Sequence, residues 1–295
     1  MREYKKHEAV MVEQVINNLI LNRKGNYVDC TFGLGGHSSA LLKSLGSEAK
    51  LTAVDRDPSS VAVANEVSQQ DARFTFINDK FGNLTRHFDE ETVDGILVDL
   101  GLSSKQLDDP ERGFSFQILG PLDMRMDQTS DISAETWVNQ STKEEIAKVF
   151  WEKGEERKSR KIAELICNKR NITPIHTTLD LVKIIMSCKP RTSKRHPATN
   201  IFRAIRMEVN SEMDELKKVL DASGKILKKG GRLAVISFHS IEDRVVKRFI
   251  QGKSIGANKF SFKRVGRKYI RPNKEEIQNN PRSRSAILRV AEKVD

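Results

Sequence analysis

The sequence predicts an α/β fold built on a parallel sheet with helices on both faces. Two observations carry this. Short apolar runs alternate with helically spaced stretches through the first hundred residues, and the polar residues capable of chemistry fall just after those runs. Strands alternating with helices of this length pair in parallel through crossovers, and ligands of such sheets sit beyond the carboxyl ends of the strands.

Taken in order, residues 26–32 (NYVDCTF) read as a short buried strand, followed by a helix over 37–45. Residues 51–55 (LTAVD) read as the second strand, and the helix over 58–67 opens with Pro58, which suits a first helical turn. Residues 73–77 (RFTFI) and 93–100 supply the third and fourth strands. The pattern turns helical over 141–171. That stretch opens with Ser141-Thr142-Lys143-Glu144 in the form of a capping box and runs through Ile146, Val149, Phe150, Ile162, Leu165 and Ile166. Val209, Met213, Leu216 and Leu220 form one helical face, and residues 232–238 (RLAVISF) read as the next buried strand.

Composition narrows the function. At 295 residues the chain has room for one large domain or for a core with a second module. Its formal charge of +11 favours an anionic macromolecule as partner. Two regions concentrate that charge: residues 189–207 hold six Lys or Arg and no acid, and residues 251–284 hold ten against Glu275 and Glu276. Such runs are also compatible with plain solvated surface. Cys30, Cys167 and Cys188 are isolated and odd in number, which indicates neither a disulfide framework nor a zinc site and suits a reducing compartment. No apolar run approaches the roughly 18 residues of a membrane span, so the chain is expected to be soluble and cytoplasmic.

Gly33-Leu34-Gly35-Gly36-His37 follows the first strand and opens a helix that Ser38 and Ser39 enter. Glycines there let the backbone turn tightly and approach a ligand, beside the unpaired N–H groups of a helix start. Asp55 ends the second strand about 20 residues further on, where a carboxylate accepts from both ribose hydroxyls. Asp57, just before Pro58, is the more natural helix cap and leaves Asp55 for ligand. Phe81 after the third strand offers a face to an adenine ring. Asp99 ends the fourth strand and points towards the same crevice. This pattern fits an adenosine-containing cofactor without by itself separating S-adenosylmethionine from NAD. Ser38 stands where a dinucleotide fingerprint has its third glycine, which leans towards the former.

From Asp99 onwards the sequence resembles one family over long strings: Asp99-Leu100-Gly101-Leu102-Ser103-Ser104, Gln106-Leu107-Asp108, Arg112-Gly113-Phe114-Ser115-Phe116 and Gly120-Pro121-Leu122-Asp123-Met124-Arg125-Met126. Tyr27-Val28-Asp29, Thr31-Phe32-Gly33, His196-Pro197-Ala198, Phe202-Arg203-Ala204-Ile205-Arg206, Ser237-Phe238-His239-Ser240-Ile241-Glu242-Asp243 and Asn280-Pro281-Arg282-Ser283-Arg284-Ser285 extend the likeness over nearly the whole chain. The family is that of the ribosomal RNA small subunit methyltransferases H (RsmH, also called MraW). The resemblance implies S-adenosylmethionine-dependent methylation of N4 of a cytidine in the decoding region of 16S rRNA. It places cofactor contacts at Gly35, Gly36, His37, Asp55, Phe81, Asp99 and Gln106. Leu34 stands where the family usually has a smaller residue. The implied fold is a class I, Rossmann-like methyltransferase core with an inserted helical domain, divided as core 1–106, helical substrate-recognition insertion 107–207, and core with a basic C-terminal stretch 208–295.

The expected partner is 16S rRNA within the small ribosomal subunit, with no membrane and no obligate protein partner. In the basic run near the end of the insertion, Arg195, His196, Asn200, Arg203 and Arg206 are the candidate RNA contacts, because Arg suits bidentate phosphate contacts. His239 and Asp243 follow the later strand, with a structural role weighed against a substrate-facing one. The C-terminal stretch interleaves Phe260, Phe262 and Tyr269 with Lys263, Arg264, Arg267 and Lys268. This suits RNA stacking and phosphate contact, or equally the core-facing positions of a strand.

Overall fold

In the computed structural model, which describes residues 9–189, 196–253 and 260–295, the chain divides into two units. One is Met1–Gly101 with Met213–Asp295, the other Leu102–Glu212. Helix α1 (Val12–Leu19) precedes β1 (Asn26–Asp29), after which α2 (Gly36–Ser44), β2 (Lys50–Val54), α3 (Val61–Gln70), β3 (Phe74–Ile77) and β4 (Val93–Asp99) alternate as expected. The chain then forms the helical unit: α4 (Ser104–Asp108), α5 (Ala134–Gln140), α6 (Lys143–Glu152), α7 (Ser159–Arg170), α8 (Thr178–Cys188) and α9 (Thr199–Val209). It returns to the first unit through α10 (Glu212–Ile226), β5 (Leu227–Ser237), α11 (Ser240–Ile250), β6 (Phe262–Arg264), α12 (Lys274–Asn279) and β7 (Ile287–Lys293).

The sheet runs β3-β2-β1-β4-β5-β7-β6. The first five strands pair in parallel, and β7 pairs antiparallel with both β5 and β6. Successive side chains on a strand go to opposite faces, and the central strands use both. Tyr27, Leu97, Ala234 and Ile236 join a cluster with Val15 and Leu19 of α1, Leu41 of α2 and Ala64 of α3. Val28, Ile96, Val98, Leu233 and Val235 join another with Leu216 and Leu220 of α10 and Val246 of α11. Each such burial stabilises the fold by about 1.5–3 kcal/mol, which is why these strands read as near-continuous apolar runs.

The helical unit has its own core, with Ile146 and Phe150 of α6, Ile162 and Ile166 of α7, Leu181 and Ile185 of α8 and Ile201, Phe202 and Ile205 of α9. Two expectations are corrected here. The capping box falls one residue later than read: Thr142 accepts from Glu145 N–H while Glu145 accepts from Thr142 N–H. The single helical stretch over 141–171 is two helices, with Glu155 at φ 50° between them. The two units divide after Gly101 and after Glu212. At the second boundary Ser211, at φ 51°, breaks the helix, so that Val209 ends α9 and packs on the helical core while Met213 lies on the other side. Among the described residues no helix is long and apolar enough to cross a membrane.

Candidate active site

The carboxyl ends of β1, β2 and β4 gather the residues that the sequence singles out on the sheet-bearing unit. The chain leaves β1 through Gly33, which donates its N–H to Asp55 Oδ2 at 2.7 Å. Gly35 sits at φ +75° and caps α2; a Cβ there would stand 3.0 Å from the Phe32 ring. Only glycine meets both conditions without strain. Leu34, the departure from the family pattern, is 38% exposed and so displaces nothing.

Asp55 does more than the sequence indicates. Asp57 does cap the turn Pro58–Ser60, accepting from Ser59 N–H at 2.9 Å. Asp55 is nevertheless not left wholly for ligand, because its Oδ1 accepts from Asp57 N–H at 2.9 Å while Oδ2 holds Gly33. Burial pushes its carboxyl up to about 6, against the two backbone N–H groups that favour the charge, with Asp57 and Asp29 adding repulsion. Each oxygen keeps a second lone pair for a ligand hydroxyl.

His37, in the first turn of α2, is buried, and its Nε2 lies 3.5 Å from Asp99 Oδ2, a charge contact rather than a formed hydrogen bond. Burial opposes the imidazolium, but the carboxylates of Asp99, Asp29 and Glu276 outweigh it and hold His37 above its ordinary pKa. Asp99 donates its backbone N–H to Thr31 Oγ1 at 2.8 Å, and its side-chain Oδ1 is buried with no hydrogen-bond partner. A buried acceptor in that state is one that a ligand's ammonium or hydroxyl satisfies. Phe81 opens the turn Phe81–Arg86, half-buried against the α10 side of the sheet. Gln106 belongs to the helical unit, where its Oε1 accepts from Ser103 N–H at 2.9 Å and closes the capping box of α4.

Asp29 is a further residue of this strand end that the motifs do not single out for the site. It is fully buried at the end of β1, accepts from Ser38 Oγ at 2.7 Å and from Thr31 N–H at 3.1 Å, and burial raises its pKa. It ties the strand end to the first turn of α2. An acid standing last in a short strand whose final three residues are buried, NYVD, is the feature that marks it.

The candidate RNA contacts fare differently. Arg195 lies outside the described residues. His196 stacks on Phe116 at 4.8 Å between centroids, and its Nδ1 accepts from Ala198 N–H at 3.2 Å. Asn200 Oδ1 is buried and accepts no hydrogen bond. Arg203 donates to the carbonyls of Gly154 and Lys153 at 3.2 and 3.5 Å, closing the end of α6. Arg206 makes a bidentate pair with Glu212, Nε to Oε1 and Nη2 to Oε2, both at 2.7 Å. The guanidinium groups of Arg203 and Arg206 are thus engaged within the helical unit, and the charge of Arg206 is matched by Glu212. Arg206→Ala is expected to destabilise that unit by about 1–3 kcal/mol, between the exposed and buried limits for ion pairs, when followed by urea unfolding. It should leave the salt dependence of RNA binding unchanged. A flatter salt slope at unaltered stability would restore the phosphate role.

His239 and Asp243 take the structural role. His239 caps α11, its Nδ1 accepting from Glu242 N–H at 3.4 Å. Asp243 pairs with Arg289 through both oxygens at 2.7 and 2.9 Å. Of the C-terminal aromatics, Phe262 packs on Phe249 at 4.9 Å, whereas Tyr269 is 41% exposed. Phe260 lies with its ring 5.9 Å from Lys293 Nζ.

Dinucleotide-binding sheets run 3-2-1-4-5-6. Here β7 instead runs antiparallel between β5 and β6, and the family match makes the chain an S-adenosylmethionine-dependent methyltransferase. The profile of the MraW methylase family matches residues 4–294. The chain belongs to that family. It is 46% identical over 304 residues to the ribosomal RNA small subunit methyltransferase H of Coxiella burnetii (strain Dugway 5J108-111), covering 98% of this chain and 99% of that one. Proteins of the same name from Hydrogenovibrio crunogenus and Legionella pneumophila (strain Paris) are each 44% identical, over 98% of this chain and 96% and 99% of theirs.

Proposed function

We propose that the chain methylates N4 of a cytidine in the decoding region of 16S rRNA, in the cytoplasm and within the small ribosomal subunit. The observation that carries this reading is identity of 44–46%, along essentially the full length, to relatives named small subunit methyltransferases H.

The sulfonium of S-adenosylmethionine supplies an already activated methyl group, so the protein's main task is alignment. Asp55 accepts from the ribose hydroxyls through the lone pairs left by Gly33 and Asp57. Gly35 and Gly36 allow the backbone to come close, and Phe81 packs on the adenine. Asp99 offers its partnerless oxygen to the amino group of the methionine moiety, with the His37 ring 3.5 Å from its other oxygen. Gln106, whose carbonyl oxygen caps α4, completes the set that the resemblance assigns. On the helical unit, Asn200 offers its unsatisfied Oδ1, and His196 its ring, to the RNA.

The test is transfer of labelled methyl to small subunits lacking the modification and, in parallel, to naked 16S rRNA, followed by digestion to nucleosides. Label in N4-methylcytidine from subunits is expected. Label in another nucleoside, or none with cofactor binding intact, would sink the proposal.

A further inference from the structure

Arg203 and Arg206 are engaged within the helical unit, while a further group of exposed cations lies on the sheet-bearing unit. We propose that the β6 edge and the loop after it form a binding strip for unpaired RNA on the sheet-bearing unit, with Tyr269 as its stacking platform. This rests on the rRNA reading above.

Residues 263–271 contain Lys263, Arg264, Arg267, Lys268 and Arg271 and no acid. All five cations are exposed. None makes an ion pair among the described residues, in contrast to Arg206, Arg289 and Lys293. Glu292 stands opposite Lys263 on β7 but faces Arg232 at 3.7 Å. Strand β6 is the last of the sheet, so the strip lies along a sheet edge.

The strip is also held in shape. Val265 donates its N–H to Val290 O at 3.0 Å, and Ile270 exchanges both backbone hydrogen bonds with Leu288 at 2.9 Å, which pins the loop on either side of its turn at Gly266. Beneath it Arg289, only 7% exposed, is gripped by Asp243 and donates Nη1 to the carbonyl of Lys268 at 2.8 Å. Its guanidinium lies 5.7 Å from the Tyr269 ring, and that of Arg271 lies at 5.6 Å. An exposed aromatic braced by the buried Arg289 guanidinium, with exposed cations before and after it along the chain, matches the way proteins hold single strands: bases stack on rings and Arg planes while phosphates track the charge. A site ordered before binding loses less entropy on capture.

The experiment uses the full chain and unmodified small-subunit rRNA, with binding measured across a salt series. In one variant Lys263, Arg264, Arg267, Lys268 and Arg271 are all replaced by Gln; the others are Tyr269→Ala and Tyr269→Trp. The charge variant is expected to flatten the log–log salt slope by about 0.7 for each phosphate contact removed. Tyr269→Ala should bind roughly 5- to 100-fold more weakly, and Tyr269→Trp should bind like the wild type. Affinity for S-adenosylhomocysteine should stay constant throughout, because the strip is separate from Asp55 and Asp99. An unchanged slope and affinity, in protein that still transfers methyl, would overturn the strip and leave the rRNA reading standing. So would self-association of the charge variant with RNA binding intact, which would show that the cations only keep the edge from pairing. A wild type that neither binds nor methylates rRNA would overturn both.

Discussion

Asp55→Ala is expected to weaken S-adenosylhomocysteine binding by at least about tenfold, since hydrogen bonds to a charged group contribute about 1.5–3 kcal/mol each. Calorimetric titration measures it. The structure adds two features to this result. Asp55 accepts from Gly33 and Asp57 N–H besides its proposed ligand role, so its loss also loosens the glycine turn and leaves two donors without an acceptor, at about 1–3 kcal/mol of stability. The raised carboxyl gives a pH signature. Binding that needs the carboxylate is complete well above about 6 and is lost as the pH falls through that value, because the proton then competes with the ligand. Below it, wild-type affinity should fall by about tenfold per pH unit, and Asp55→Ala should lack this dependence. His37 titrates in both proteins, so the difference between them isolates Asp55. Equal affinities, or the same pH profile, would remove Asp55 from the cofactor site.

Gly120→Ala is expected to unfold or severely loosen the helical unit. A Cβ at residue 120 would stand 2.0 Å from the carbonyl oxygen of Pro110, a backbone atom that no rotamer change relieves. Gly120 is also fastened to Thr178, its N–H donating to Oγ1 at 3.2 Å and its carbonyl accepting from Thr178 N–H at 3.0 Å. Overpacking of this kind costs about 3 kcal/mol or more. Both tryptophans, Trp137 and Trp151, lie in this unit, so their fluorescence during urea unfolding reports on it directly. The midpoint should fall sharply and methyl transfer should be lost. Cofactor binding should persist, because the proposed contacts Asp55 and Asp99 belong to the other unit. An unshifted tryptophan transition would show that the turn gives way without consequence.

Both predictions draw on residues that the sequence marks, though not for the whole of what they do. The glycine turn and the strand-end acids Asp55 and Asp99 are legible because a parallel sheet places its ligand groups at fixed chain positions, just after each apolar run. Gly120 is quoted by the family resemblance, but its reason, a carbonyl oxygen ten residues away in sequence, is visible only in three dimensions. Asp29 is hidden for a similar cause: its partners Ser38 and Thr31 are close along the chain, yet only its complete burial shows that it braces the helix start.

The sequence by itself determined the strand and helix alternation and the separate helical segment, because periodicity and turn chemistry are local properties. The family likeness supplied the substrate. Tertiary structure alone decided which cations have partners. Arg206 and Glu212, six residues apart, would not share a face of a continuous helix. The break at Ser211 brings them together. Asp243 and Arg289 meet across 46 residues because α11 packs on β7. It also decided that β7 runs backwards between β5 and β6, which leaves the cations from Lys263 to Arg271 along an open edge. Charge in a sequence records how many ions there are; whether each is matched depends on contacts between distant parts of the chain.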